Sequence, residues 1–315
     1  MKLPEEKPFS HQLLSVNGPE SIIIRGVVTM GNQESTGFIS SKAGELFYEI
    51  KGVSGKTPLI AVHGGPGFTS YYLEPLFDVA SSFQVVCYDQ AGCGRARRSG
   101  GRTIFSMDGF IDELEELRIA LGFERIHVLG HSYGGAIAIE YALAHPERVS
   151  SLICACASLD IPRWLEDAER LLSRLPLMSK MIIREGLRTG NYRSPQFLDA
   201  LALYYERHIY GFKDKPLSII RAEAEADAIT YQRVWGPNEL VVNGLARSYS
   251  LSHRLSELAC PVLYLCGRHD EATPEAHAYF ASRTPSARFE VFEHSAHHPQ
   301  ITERDAFRAL VREFI

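Results

Sequence analysis

Short runs of consecutive apolar residues alternate along this chain with stretches in which apolar residues recur every three or four positions. Leu59-Ile-Ala-Val62, Phe83-Gln-Val-Val-Cys-Tyr88, Ile126–Leu129, Val149–Ala157, Pro261–Cys266 and Arg288–Phe292 are of the first kind. Such runs fit strands covered by side chains on both faces. Asp108–Leu121 is of the second kind, with Phe110, Leu114, Leu117 and Leu121 on one helical face and Gly122 as a stop. Glu303–Ile315 reads as a closing amphipathic helix. This alternation predicts an α/β fold, a mostly parallel and doubly wound sheet. Ahead of it, Phe38-Ile-Ser and Glu45–Ile50 read as strands joined by a turn at Lys42-Ala43-Gly44, and Ser21–Val28 offers one more short strand. Residues 1–36 otherwise form an extension without an assigned role.

Residues 159–251 break the alternation. They are rich in helix formers, hold no buried strand run, and are cut into short helices by Pro162, Pro176, Gly190, Pro195, Pro216 and Pro237. A helical insertion between two strands would lie over the carboxyl ends of the sheet, where such folds bind ligands. The division expected is therefore a core of 37–158 and 252–315 with a cap of 159–251.

The stretch with the strongest chemical signal is Gly130-His-Ser-Tyr-Gly-Gly135, set between the Ile126 run and a helix beginning near Ala136. A strand that turns sharply into a helix strains the residue at the turn and leaves no room for flanking side chains. Gly-x-Ser-x-Gly supplies both needs and raises the Ser132 hydroxyl clear of the backbone, at the positive end of a helix. Three more segments follow predicted strands. His63-Gly-Gly-Pro-Gly67 brings glycines whose backbone can approach a substrate oxygen, so that the Gly65 and Tyr133 N–H groups form an oxyanion hole. Gly267-Arg-His-Asp-Glu271 offers Asp270, and Ser295-Ala-His-His298 offers His297 as the base for Ser132. The order Ser, Asp, His is that of the α/β-hydrolase arrangement. His63 and His131 are expected to pack or hydrogen-bond beside the site, His269 to pack, and His294 and His298 to be solvated.

Composition narrows the setting. A net charge of −5 gives no basic stripe for nucleic acid, and no apolar run approaches the ~20 residues that span a bilayer. The charged start Met1-Lys-Leu-Pro-Glu-Glu-Lys7 has no apolar core of a secretory signal. Of Cys87, Cys93, Cys154, Cys156, Cys260 and Cys266, most fall in strand-like runs, and none makes a zinc spacing. A cytoplasmic protein is the expectation, without metal or cofactor.

His63-Gly-Gly-Pro-Gly, Asp89-Gln-Ala-Gly-Cys-Gly-Arg95, Gly130-His-Ser-Tyr-Gly-Gly and Asp270-Glu-Ala-Thr-Pro274 together resemble the proline iminopeptidases. With Gly236-Pro-Asn-Glu239, the resemblance is to the branch of tricorn-interacting aminopeptidases, over residues ~37–315. It implies an α/β-hydrolase fold, the triad Ser132, Asp270 and His297, and Glu239 and Glu271 as carboxylates gripping the free amine of a substrate. Glu271 beside Asp270 agrees with this, since adjacent carboxylates resist ionisation unless a cation joins them. Two positions depart from the family pattern, Ala91 where a bulky residue is usual and Ala96 where a Ser is usual.

The function expected is a serine aminopeptidase releasing proline or another small or apolar residue from short peptides or amino-acid amides. An esterase, lactonase or amidase of a specialised metabolite would use the same triad without the amine clamp. A non-catalytic sensor on this fold would not need the triad, the elbow and the oxyanion glycines together.

Overall fold

The computed structural model describes residues 24–28, 34–98, 105–212 and 214–315. Among the described residues, ten strands form one sheet. An antiparallel flank is built from β1 (Ile24–Val28), β2 (Ser35–Ser40) and β3 (Gly44–Gly52). Then come β4 (Leu59–Val62), β5 (Gln84–Asp89), β6 (Arg97–Arg98), β7 (Ile126–His131), β8 (Val149–Ala155), β9 (Val262–Gly267) and β10 (Ala287–Phe292). Their order is β1-β2-β3-β5-β4-β7-β8-β9-β10, with β6 on β3. From β5 to β10 every pairing is parallel. The strand expected within Ser21–Val28 is β1, so the sheet extends into the N-terminal extension. The rest of residues 1–23, with 29–33, lies outside the described residues.

The apolar runs are continuous because each strand feeds two cores. In β4, Ile60 and Val62 enter the core on one face, while Leu59 and Ala61 enter the core on the other. Tyr264 and Cys266 of β9 face the first core, and Leu263 and Leu265 the second. Helices α1 (Met107–Ala120) and α2 (Tyr133–Ala144) cover the first face. A 3₁₀ helix at Ser70–Val79, which the periodicity does not announce, covers the second together with the last helix. β8 ends at Ala155, two residues short of its apolar run, because Cys156 takes a positive φ of 53° and turns the chain away.

The helical insertion leaves and rejoins the core at one place: Asp160 and Ser250 form an antiparallel bridge, and the Asp160 carboxylate accepts from the Ser250 and Ser252 hydroxyls at 2.7 and 2.6 Å. Between them lie α3 (Ile161–Leu172), α4 (Leu177–Thr189), α5 (Pro195–Tyr205), α6 (Leu217–Ala224) and α7 (Ala228–Val234). Leu171, Ile183, Phe197 and Leu201 form a small core of their own there. A Cβ on Gly186 would sit 2.2 Å from the Phe197 ring, so α4 and α5 touch only because Gly186 has none. The chain closes with α8 (Pro274–Arg283), α9 (Pro299–Thr302) and α10 (Arg304–Phe314).

At the end of β5, Asp89 is buried and accepts from the Ser70 N–H and hydroxyl and from the Arg95 backbone and Nε. Arg95 lies between the rings of Phe47 and Tyr71, at 3.9 and 4.3 Å. Its charge, against the opposing effect of burial, holds the Asp89 carboxyl below the usual value. Arg95→Met keeps the stem but strands the buried carboxylate, which costs about 3 kcal/mol or more. Urea unfolding of that variant checks the figure; a loss near zero would show that the carboxylate is not held by this cation.

Candidate active site

Ser132 is the single residue between β7 and α2, at φ 57° and ψ −125°. The strain falls on the serine itself; the glycines around it answer a lack of room. A Cβ on Gly130 would lie 2.2 Å from the Gly134 carbonyl oxygen, and one on Gly134 would lie 2.3 Å from that of Val62. A Cβ on Gly64 would lie 2.7 Å from that of Ser132. The loop after β4 is therefore pressed against the nucleophile. The N–H groups of Gly65 and Tyr133 have no protein acceptor among the described residues, as an oxyanion hole requires.

Asp270 follows β9 and His297 follows β10, so parallel neighbours deliver both to the same sheet edge. The Asp270 Oδ1 accepts from His297 Nδ1 at 2.7 Å and from the Ala272 N–H at 2.8 Å. Burial opposes ionisation of Asp270, yet the imidazole beside it and their hydrogen bond hold the carboxyl below its ordinary value. The Nδ1 bond leaves Nε2 free, and His297 lines the same cavity as Ser132.

That cavity has a volume of about 410 Å³ and lies between the sheet edge and the insertion. Glu223, Glu239 and Glu271 line it, and among the described residues no Lys or Arg does. Glu271 is 3% exposed, and its Oε2 is buried without a hydrogen-bond partner. Glu239 Oε1 accepts from the Tyr231 hydroxyl at 2.7 Å. Burial pushes the Glu239 carboxyl up to about 7. Burial, and then the charges of Glu239 and Asp270, push Glu271 well above the carboxylate range. Glu239 and Glu271 thus share a pocket that has no Lys or Arg in its lining among the described residues.

The family model for the alpha/beta hydrolase fold matches residues 57–304. A proline iminopeptidase of Heyndrickxia coagulans is 36% identical over 281 residues, 89% of this chain and 98% of that protein. The chain belongs to the proline iminopeptidases. Among solved structures, a proline iminopeptidase of Mycobacterium smegmatis is 30% identical, with a TM-score of 0.80 over 92% of this chain and 97% of that one. The protein VinJ is 29% identical, with a TM-score of 0.82 over 89% of this chain and 97% of that one.

Of the residues expected at the site, Gly65, Ser132, Glu239, Glu271 and His297 line one cavity, Asp270 stands behind them on His297, and Tyr133 opens α2 directly after Ser132. Two expectations about neighbouring histidines need correction. His298 is not solvated: it is buried and stacks on His131, ring centroids 5.4 Å apart at 10°. His269 does not pack: its side chain is exposed, and its carbonyl oxygen accepts from His208 Nδ1 at 2.8 Å. His294 is exposed, as expected, and His63 and His131 are buried in hydrogen bonds. Tyr72, Tyr231 and His208 carried no signal in the sequence, since each is an ordinary residue of a helical stretch until the fold places it.

One consequence concerns stability. The Glu239 proton is held more tightly in the folded chain, at about 7, than at the ordinary value of 4.5. Its contribution is therefore complete below about 4.5 and is lost as pH rises through about 7. Glu239→Gln keeps the Tyr231 bond and cannot ionise. Wild type is expected to lose about 2–5 °C of melting temperature relative to this variant between pH 5 and pH 8. Parallel melting curves across that range would refute the assignment.

Proposed function

We propose that this protein is a serine aminopeptidase that releases an N-terminal residue, proline in the first place, from short peptides and amino-acid amides. The observation that carries this reading is the cavity with Glu239 and Glu271 and, among the described residues, without Lys or Arg. A substrate ammonium supplies the missing cation, ionises both glutamates and meets the unpartnered Glu271 Oε2. The curated names of relatives at 29–36% identity support the same activity.

The chemistry runs through an acyl-enzyme. His297 Nε2 takes the Ser132 proton as Oγ attacks the carbonyl carbon next to the bound amine. Negative charge develops on the carbonyl oxygen, toward the Gly65 and Tyr133 N–H groups and the N-terminus of α2. His297 passes the proton to the leaving amine as the C–N bond breaks. Water, deprotonated by the same imidazole, then hydrolyses the ester and returns Ser132. Asp270 stays ionised throughout and steadies the imidazolium. No metal or cofactor enters these steps.

Ser132→Ala should lower kcat by about 10³-fold or more with the fold intact, and a serine-directed phosphonate should label Ser132 in wild type only. Retained turnover in the alanine variant would refute the triad.

The amine clamp is tested separately. N-Acylation replaces the cation by a neutral amide facing two carboxylates. A charged hydrogen bond is worth roughly 1.5–3 kcal/mol, so each lost contact costs about ten- to a hundred-fold. Prolyl-4-nitroanilide should therefore be cleaved far faster than its N-acetyl form. Glu239→Gln and Glu271→Gln should lower kcat/KM for the free amine much more than for 4-nitrophenyl acetate. A ratio near one, with both variants unaffected, would replace the aminopeptidase by the metabolite esterase or amidase.

A further inference from the structure

The hydrogen bonds behind Ser132 form a chain with a fixed direction. The Gly64 N–H donates to the Tyr72 hydroxyl oxygen at 2.8 Å. That hydroxyl lies 3.0 Å from His131 Nδ1, and His131 Nε2 lies 2.7 Å from the His297 carbonyl oxygen. A carbonyl only accepts, so His131 Nε2 carries a proton. In a neutral ring Nδ1 is then the acceptor, and the Tyr72 hydroxyl donates to it. Burial, reinforced by the neighbouring His297, keeps the ring neutral by pushing His131 down to about 3.

We propose that Tyr72 and His131 are positioning residues: a neutral relay that ties the oxyanion loop to the backbone of the catalytic base across the nucleophile. The proposal rests on the roles given above to Ser132, His297 and the Gly65 N–H. Each end of the relay is one bond from the chemistry. Gly64 precedes the oxyanion donor Gly65 and would place a Cβ 3.2 Å from Ser132 Oγ. His297 is held by its own carbonyl, and His131 is covalently next to Ser132. The three loops that meet the reacting carbonyl come from β4, β7 and β10, with no chain connection between them at the site. The relay joins all three.

Its surroundings fit a rigid part. The His131 ring is stacked on His298 and set edge-on to Tyr72 and His297, with centroids at 5.0 and 4.8 Å. No side-chain polar atom of Tyr72 or His131 is left without a partner. Neutrality also serves the reaction, because His297 becomes a cation in the transition state and a second cation at that distance would oppose it. An oxyanion donor displaced by about 1 Å can cost ~10²-fold in rate, whereas Tyr72→Phe removes one hydroxyl and keeps the ring that Tyr72 lends to the cavity wall, and Glu239 and Glu271 lie outside the relay.

The test reads kcat and KM separately, with prolyl-4-nitroanilide and 4-nitrophenyl acetate as substrates. Tyr72→Phe is expected to lower kcat about ten-fold for both, with KM within about two-fold. His131→Gln can accept from Tyr72 and donate to the His297 carbonyl, so it should keep several-fold more kcat than His131→Leu. Adding Tyr72→Phe to His131→Leu should cost less than two-fold, because the relay is already cut. Wild-type kcat in Tyr72→Phe, a change confined to KM, or losses that multiply would each overturn the relay. The histidine pair decides the matter should Tyr72→Phe melt far below wild type. Loss of activity in Ser132→Ala beside full activity in Tyr72→Phe would remove the relay alone, whereas activity in Ser132→Ala would remove the reading beneath it.

Discussion

The structure depends on how closely backbone is allowed to approach backbone at Ser132. The turn between β7 and α2 sits against the Val62 and His63 carbonyls, and neither Gly130 nor Gly134 has room for a single added carbon. That contact draws β4 beside β7 and places the start of the oxyanion loop over the nucleophile. In the proposed reaction it also turns the N-terminus of α2 toward the carbonyl under attack, so that two backbone donors and a helix dipole would act on the same oxygen. A positive φ at Ser132 is tolerated because the surrounding strands fix it from every side.

Charge is distributed around this point with one sign. His131, His277 and His298 are buried and held neutral, and Asp270 stays ionised, against the burial that opposes it, because His297 is hydrogen-bonded to it. Glu239 and Glu271 are the exception: burial holds the protons on both, and the charges of Glu239 and Asp270 add to it at Glu271. A site of this kind stores an unfavourable interaction that a cationic substrate relieves. Under the proposed aminopeptidase reading, binding of the amine and release of a proton by the glutamate pair are one event, and affinity for the cation rises as the pair ionises.

Much of this was legible in the sequence, for definite reasons. Strands of a doubly covered sheet must be apolar on both faces, so β4, β5, β7 and β9 stood out within two residues at each end. The elbow and the residues after β9 and β10 were readable because chemistry at strand ends needs particular residue types. The 3₁₀ helix at Ser70–Val79 was not readable, because it contains Pro75 and its start is held by Asp89 rather than by its own cap. The end of β8 was overrun because the turn at Cys156 uses a positive φ with no glycine to mark it. His298 was misjudged because its burial comes from stacking on His131, more than 160 positions away in sequence, and nothing local announces that.

The insertion contributes more than a cover. After α5 the chain makes a π-helical turn at Glu206–Tyr210, and its carbonyls reach the catalytic loops. The Glu271 N–H donates to the His208 carbonyl and the His297 N–H to that of Ile209, both at 3.1 Å. His208 Nδ1 holds the His269 carbonyl, one residue before Asp270. The same insertion carries Glu239 and the tyrosine that orients it, so the proposed amine clamp and the proposed triad share one support. Two of the three links are backbone to backbone, which demands no residue type and explains why no motif betrays them. A change in how the insertion packs must therefore act on the base and the clamp together, and selectivity for the N-terminal residue cannot be altered there without touching the rate of the chemistry.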